Sequence, residues 1–415
     1  MFLRLKDVPN RLLPILLSQC VGLACGIAGV KLATRWIDPA DYGRYGVFLG
    51  FTPLGMWVVH AGLIKFVLRH WAAGDRPALW AGVVRTARRR LHWLALVSAG
   101  AAYFLAGASG WRVFPFVLGA AIALSGATLA QSALQAGRQH WRDLAVNVAG
   151  STSRSFLPPL LYVATGAGVF ALYGGFLLHS LILVGAAWAA LWPSWTDGNR
   201  ELVKPDAAYD GSLFTVLAAF GWLLAGVNRW LVAAFEGAEI AGYFTLAVAL
   251  ATIVTALLNA VAVQFVQPVL FALPTDTPAA RCILAKKVDQ VALVSWALSL
   301  VGLALLRGVM PWLVGPLVHP KYLPALGYIV PAGCFFVAAG TTAYFDIMLM
   351  AVKRERACGP VDLSAATVLI LGGVIGAWAG PGWFKGWLLA TPLLPWVLSR
   401  SLARYYYFRS PQPLR

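Results

Sequence analysis

Residues 36–48 read WIDPADYGRYGVF, and residues 235–247 read FEGAEIAGYFTLA. Both are polar knots in a chain of 415 residues that is 60% hydrophobic and only 12% charged. A soluble domain carries about twice that density of charge. Apolar runs of 18 or more residues flank each knot and recur from end to end, and a run of that length crosses a hydrocarbon core of ~30 Å as a helix. Pro39 and Gly43 interrupt a helix and the acids of both knots are tolerated in water, so each knot reads as a turn between two membrane helices. The expectation is an all-α, polytopic membrane protein.

Twelve spans are predicted, at 12–35, 43–67, 91–109, 112–136, 144–165, 168–192, 212–234, 241–267, 289–307, 325–350, 361–380 and 384–404. The run at 12–34 is longer than the core of a cleaved signal peptide, so it reads as an uncleaved first span. The formal charge of +17 does not point to nucleic acid, because the cations cluster in alternate loops. With both termini placed in the cytoplasm, 23 of the 33 Lys and Arg fall on the inner side, six on the outer side and four inside spans. That bias orients the chain by the positive-inside rule. Trp36, Trp111, Trp192, Trp312, Trp383 and the run Tyr405–Tyr407 sit near span ends, as an interfacial aromatic belt requires.

The two knots also match each other. At an offset of 198, Asp38 meets Glu236, Asp41 meets Glu239, Tyr45 meets Tyr243, Lys31 meets Arg229, and Arg88-Arg89 meet Lys286-Lys287. At an offset of 215, LQAGRQ at 134–139 meets LMAVKR at 349–354. This reads as a duplication into two six-helix bundles, 1–200 and 201–415, each starting inside and running the same way. Carriers use such parallel repeats to enclose a central cavity and alternate its access.

The pattern D-x-x-D-Y-G-x-Y (Asp38, Asp41, Tyr42, Gly43, Tyr45), with a second helix ending AGLIKFVLR and the stretch QSALQAGRQHWRD at 131–143, resembles the polysaccharide-transport branch of the multidrug/oligosaccharidyl-lipid/polysaccharide exporter superfamily. The resemblance implies a Wzx-type flippase. Such a protein moves a polyprenyl-pyrophosphate-linked oligosaccharide from the inner to the outer leaflet for O-antigen or another surface polysaccharide, working with a polysaccharide polymerase and chain-length partners. It also implies cations in the first, second and eighth helices against the pyrophosphate, and Lys31 and Lys65 occupy the first two of these positions. Arg229 falls in helix seven and fits that pattern less closely. The chain is short for the family and has twelve spans where up to fourteen occur.

A charge at the centre of a span costs roughly 2.5–3.5 kcal/mol, so each deep cation calls for a reason. Arg154 lies well inside helix five, and Asn147, Ser151, Arg154 and Pro158 share one helical face; lining a hydrated cavity is one reading, a later helix start the other. Lys31 and Arg229 stand about six residues from the matching outer turns, where snorkelling competes with substrate contact. Lys65 doubles as an inner anchor. Gln131 occupies in helix four the place of Asp346 in helix ten. Asp346, a carboxylate well inside a span, is the candidate for H+ or Na+ coupling, with an ion pair to Lys353 as the plainer role. His60 is a second titratable group at depth, where a packed hydrogen-bonded histidine is the commoner case. Close backbone packing is expected at Gly22 and Gly26, Gly46 and Gly50, and Gly372, Gly376 and Gly380, and kinks at Pro53, Pro158, Pro159 and Pro331.

The sequence contains no P-loop, H-E-x-x-H, dinucleotide fingerprint or G-x-S-x-G elbow. No enzyme, cofactor or metal is therefore expected, and Cys20, Cys25, Cys282, Cys334 and Cys358 have no metal-ligand spacing. One rival is a membrane polysaccharide polymerase or O-antigen ligase, but the longest predicted outer loop, 308–324, offers His319 and Lys321 and no acid. The other rival is a small-molecule exporter of the same superfamily, which for cationic drugs would favour interior acids over interior cations.

Overall fold

The computed structural model describes residues 8–54, 60–71, 76–106, 110–192, 226–261, 270, 273, 275, 277–352 and 354–409. Among these every regular element is a helix. Among the described residues six helices are long and apolar enough to cross a membrane and two shorter ones are apolar, as a multi-pass membrane protein requires. The chain divides into two compact units, Met1–Ala219 and Phe220–Arg415.

The first unit holds α1 (Val8–Trp36), α2 (Pro39–Leu54), α3 (His60–His70), α4 (Arg76–Arg89), α5 (Leu91–Ala106), α6 (Gly110–Ala136), α7 (His140–Thr165) and α8 (Val169–Leu191). α6 is the central helix, packed by α2, α3, α5, α7 and α8, while α1 lies on α7. Small residues allow the close approaches. A Cβ on Gly29 would stand 2.9 Å from Ser155 of α7, and one on Gly175 would stand 2.5 Å from the Cα of Pro158. Pro158 and Pro159 are buried within an unbroken α7, so α8 presents its glycine where α7 has lost freedom of shape. The α7–α8 link is three residues long because Gly166 and Gly168 take φ of 63° and 61°, a region that a Cβ disfavours.

The opening knot is the joint of this unit. Asp41 accepts from the Tyr162 hydroxyl of α7 at 3.0 Å and from Arg44 at 3.1 Å. Tyr42 and Tyr45 are buried, and Phe48 stacks on Tyr173 of α8 with centroids 4.4 Å apart. The motif thus fastens the start of the second span to the fifth and sixth.

The second unit holds a helical stretch at 226–235, then α9 (Ala238–Val261), α10 (Pro278–Leu317), a 3-10 turn (Pro320–Tyr328), α11 (Ile329–Ala351), α12 (Glu355–Ala379), α13 (Pro381–Ala390) and α14 (Leu394–Phe408). Here α11 is central, packed by α9, α10, α12, α13 and α14. Leu231 of the 226–235 stretch meets Gly373 of α12 as α1 meets α7 in the first unit. Gly372 and Gly376 make the slot for Trp387 of the next helix: a Cβ on Gly372 would fall 2.1 Å from its ring. Asp289 of α10 receives a bidentate bond from Arg400 of α14 at 2.9 and 3.0 Å, and a further one from Arg404.

Several predicted boundaries are corrected. Of the second span the structure describes α2, which ends at Leu54, and α3, which begins at His60; residues 55–59 lie outside the described residues. The ninth helix is not confined to 289–307 but runs 40 residues, Pro278–Leu317. The supposed outer loop 308–324 is therefore half helix and half 3-10 turn, since Pro311 and Pro316 do not stop the helix there. α12 starts at Glu355, so Cys358, placed in a loop by the sequence, is a buried helical residue. The twelfth span breaks at 391–393, where Pro392 cannot continue a helix. Pro331 sits in the first turn of α11, a position with no N–H bond to lose, and bends nothing. Gly26 meets no atom within 4 Å, and Gly29 makes the tight contact instead.

Gly175→Ala is expected to destabilise the first unit by roughly 1–3 kcal/mol through overpacking against backbone, while Gly26→Ala is neutral. Thermal unfolding of the purified protein in detergent, side by side, checks the pair.

Candidate functional site

Helix α7 runs without interruption from His140 to Thr165. Arg154 is fourteen residues along it, roughly 21 Å at 1.5 Å per residue, which excludes the loop reading. Its side chain is exposed and makes no ion pair among the described residues. The buried groups beside it feel its charge: Tyr45 of α2 and His179 of α8. His179 in turn shares a 2.8 Å hydrogen bond with Ser153, buried between α7 and α8.

The other polar residues of the α7 stripe are engaged. Asn147 Oδ1 accepts from Gln131 Nε2 of α6 at 3.1 Å, so the structure brings these two candidates together. One turn below, Gln135 donates to Asp143 at 3.5 Å. The α6–α7 seam is thus a polar ladder with partners one helical turn apart on both helices. Ser151, a turn above Asn147, faces Gly22 of α1, with its Oγ 3.6 Å from where a Cβ would stand. Arg154 is the one member of the stripe that is exposed.

Lys31 is exposed on α1. It lies about 200° round the helix from Gly29, the residue that meets α7, so Lys31 and Arg154 are not brought together. The side chain of Lys65 lies outside the described residues, although α3 carries it. His60 is 2% exposed and shares a 2.9 Å hydrogen bond with Ser125 of α6, the geometry of a packed histidine.

In the second unit Arg229 is half-buried in the stretch 226–235. Its neighbour Asn228 is 4% exposed, close to Gly373, with neither amide atom hydrogen-bonded among the described residues. Asp346 lies on α11 beside Asp362 of α12, close enough for their charges to interact, and Cys358 donates a hydrogen bond to Asp346. The Oδ1 of Asp346 is buried without a partner among the described residues. Lys353, named as its plainer partner, lies outside the described residues.

Sequence reasoning missed Asp362, Asn228 and His179. Asp362 was hidden by starting helix eleven too late. Its signal was present in CGPVDLS, where Cys358 and Asp362 stand one helical turn apart. His179, in the apolar run GFLLHSLIL, could have been noticed as a polar residue needing a partner.

The family described as "Polysaccharide biosynthesis protein" matches residues 32–315. No curated protein sequence matches the chain significantly. The fold is similar to that of lipid II flippase MurJ in an inward closed conformation, with a TM-score of 0.65 at 12% identity over 97% of this chain and 88% of that one. It is also similar to a MATE-family multidrug resistance transporter of the MOP superfamily. The outward-facing form gives 0.58 at 12% identity over 97% and 96% of the two chains, and an inward-facing form gives 0.54 at 12% over 95% and 96%. At such identities the likeness is one of fold.

The second knot carries a titratable joint outside the spans. Glu236 accepts from the Tyr328 hydroxyl at 3.1 Å. Burial pushes its carboxyl above the usual carboxylate value, while the Tyr328 bond and the Lys385 charge pull it back. A carboxyl raised in the folded state binds its proton more tightly folded than unfolded. Its contribution to stability is therefore full below the unfolded pKa of ~4.3 and is lost as pH rises through the folded value. Tyr328→Phe is expected to deepen that loss and Glu236→Gln to remove it, read as melting temperature against pH from 4 to 8.

Proposed function

The chain belongs to the polysaccharide biosynthesis protein family, and we propose that it is a flippase for a polyprenyl-pyrophosphate-linked oligosaccharide. It would carry the repeat unit from the inner to the outer leaflet of the cell inner membrane, with both termini in the cytoplasm, for O-antigen or a related surface polysaccharide. The observation that carries this reading is Arg154: a guanidinium half-way along a membrane helix, exposed, with no carboxylate partner among the described residues. Left in hydrocarbon that charge would be costly. Beside a hydrated chamber it is a ready partner for pyrophosphate, which a guanidinium grips in bidentate fashion. The duplication into two bundles belongs to the same proposal, supported by the shared arrangement of neighbours around α6 and α11.

On this reading Arg154 binds the diphosphate, with Lys31, Arg229 and Lys65 as further cations along the route. Gln131, Asn147 and Ser151 hold α7 in register against α6 and α1, so that Arg154 is presented at a fixed height. Ion coupling by H+ or Na+ is assigned to Asp346 with Asp362, and His60 is left to packing. Downstream the product would pass to a polysaccharide polymerase and chain-length partners. The similarity to a multidrug transporter keeps a small-molecule exporter as the alternative, favoured only by the carboxylate pair of the second unit.

A deletion strain is expected to accumulate the lipid-linked repeat unit on the inner leaflet and lose surface polysaccharide. Normal polysaccharide with no such build-up would overturn the flippase. Arg154→Ala at wild-type expression is expected to lower complementation at least tenfold, with Arg154→Lys intermediate.

Asp346→Asn and Asp362→Asn are each expected to abolish the dependence of transport on the ion gradient while leaving substrate-protected thermal stability unchanged. Gradient-driven uptake in proteoliposomes checks this against drug-efflux assays of the same variants.

A further inference from the structure

The transport route leaves one structured surface of the first unit unused. Helix α4, RPALWAGVVRTARR, carries four arginines and no acid. One face is built into the protein. Leu79, Trp80 and Val83 are buried in a cluster with α3, α6 and α8, and Trp80 stands edge-on to Trp71 at 6.0 Å and to Trp188 at 5.1 Å. Away from that core Pro77, Ala81, Val84, Arg85, Arg88 and Arg89 are exposed. Together with Trp80 they line a groove of about 640 Å³. The groove is apolar towards the start of the helix and basic towards its end. None of the three arginines has a carboxylate partner among the described residues.

The neighbouring helix α5 indicates the surroundings of this face. The chain passes through Arg90 straight into α5, whose Leu91, Trp93 and Leu96 are 39%, 56% and 62% exposed. Exposed leucine and tryptophan on a membrane helix face lipid, so the arginines lie at the level where acyl chains give way to headgroups. A helix that is apolar on one stretch and basic on the next is the form that settles into that boundary.

The second unit repeats the arrangement. α10 begins with an exposed stretch bearing Lys286 and Lys287, with Ile283 55% exposed and then Leu293 and Val294 51% and 56% exposed. These lysines are the residues that meet Arg88 and Arg89 at the offset of 198. A site gripping one phosphate in bidentate fashion would not exchange Arg for Lys, whereas attraction to a layer of phosphates needs only the charge.

We infer that the exposed face of α4 is a docking site for anionic phospholipid headgroups on the side of the membrane that the cation bias assigns to the cytoplasm, and that the start of α10 is its counterpart. Near such a surface each cation contributes on the order of fivefold in binding. The inference does not depend on what is transported.

The test uses the full-length protein in nanodiscs of phosphatidylcholine alone or with phosphatidylglycerol, reading retained lipid by native mass spectrometry and the melting temperature. The wild type is expected to retain phosphatidylglycerol preferentially and to melt higher in its presence. Arg85→Gln/Arg88→Gln/Arg89→Gln is expected to lower that preference at least tenfold with an unchanged melt in phosphatidylcholine, and the corresponding triple Lys variant to restore it. Lys286→Gln/Lys287→Gln gives a second, independent loss of several-fold if the first variant does not fold. Undiminished preference in the Gln variants, or failure of the Lys variant to restore it, would overturn the inference. So would displacement of the lipid by inorganic pyrophosphate at equal charge, which would mark a substrate-phosphate site.

Discussion

A polar side chain placed in hydrocarbon has to find its partner inside the protein, and this constraint organises both units. His60 meets Ser125, His179 meets Ser153, Gln131 meets Asn147, and Tyr344 meets Ser295 at 3.0 Å. Each pair joins two different helices. Hydrophobic burial supplies little drive for helix association once lipid is the alternative, so these bonds and the small-residue contacts are what choose the neighbours. The glycines at 29, 175 and 376 bring backbones close, those at 150 and 372 make room for Leu183 and Trp387, and the polar pairs then fix rotation and height. α6 is central because it offers Ser125 to α3 and Gln131 to α7 from one helix.

The same constraint explains the opening knot. Asp41 faces water on one side and Tyr162 on the other, which ties a turn that would otherwise hinge freely to the end of α7. Glu236 does the same with Tyr328. The tyrosine donors come from non-equivalent places, the end of the fifth span in one unit and the approach to the tenth in the other. An acidic outer turn held by a phenol is thus kept by different residues in the two units, and sequence offsets alone could not reveal it.

The helical class, the placement of most spans and the character of both knots were legible because apolar length and the Pro/Gly interruptions are strong local signals. The depth of Arg154 was legible for the same reason. Helix ends were less so. The apolar pattern of α10 begins near Asp289, while the helix itself begins at Pro278, because a polar stretch such as AARCILAKKV also forms helix when a bundle caps it. That error carried over to α12 and hid Asp362. Partners were illegible altogether: nothing in the sequence says that Asn147 is satisfied by Gln131 while Asn228 is left bare among the described residues. Rotational facing was equally hidden: nothing in the sequence says that Lys31 lies on the side of α1 away from the contact with α7.

The units differ in what they leave uncompensated. In the first, His60, His179, Gln131 and Asn147 are each bonded to a neutral partner on another helix, and the exposed mid-helix charge is Arg154. In the second, a deep acid is among the groups left without a partner: Asp346 keeps a buried oxygen without a donor among the described residues, and its charge interacts with that of Asp362 on α12. A lone guanidinium is completed by an anion. Two carboxylates whose charges interact are relieved by a proton or a cation. On the proposed reading the division has a consequence. Substrate charge and coupling charge need not compete for one site, and loading either unit relieves an electrostatic cost that belongs to that unit's own helices.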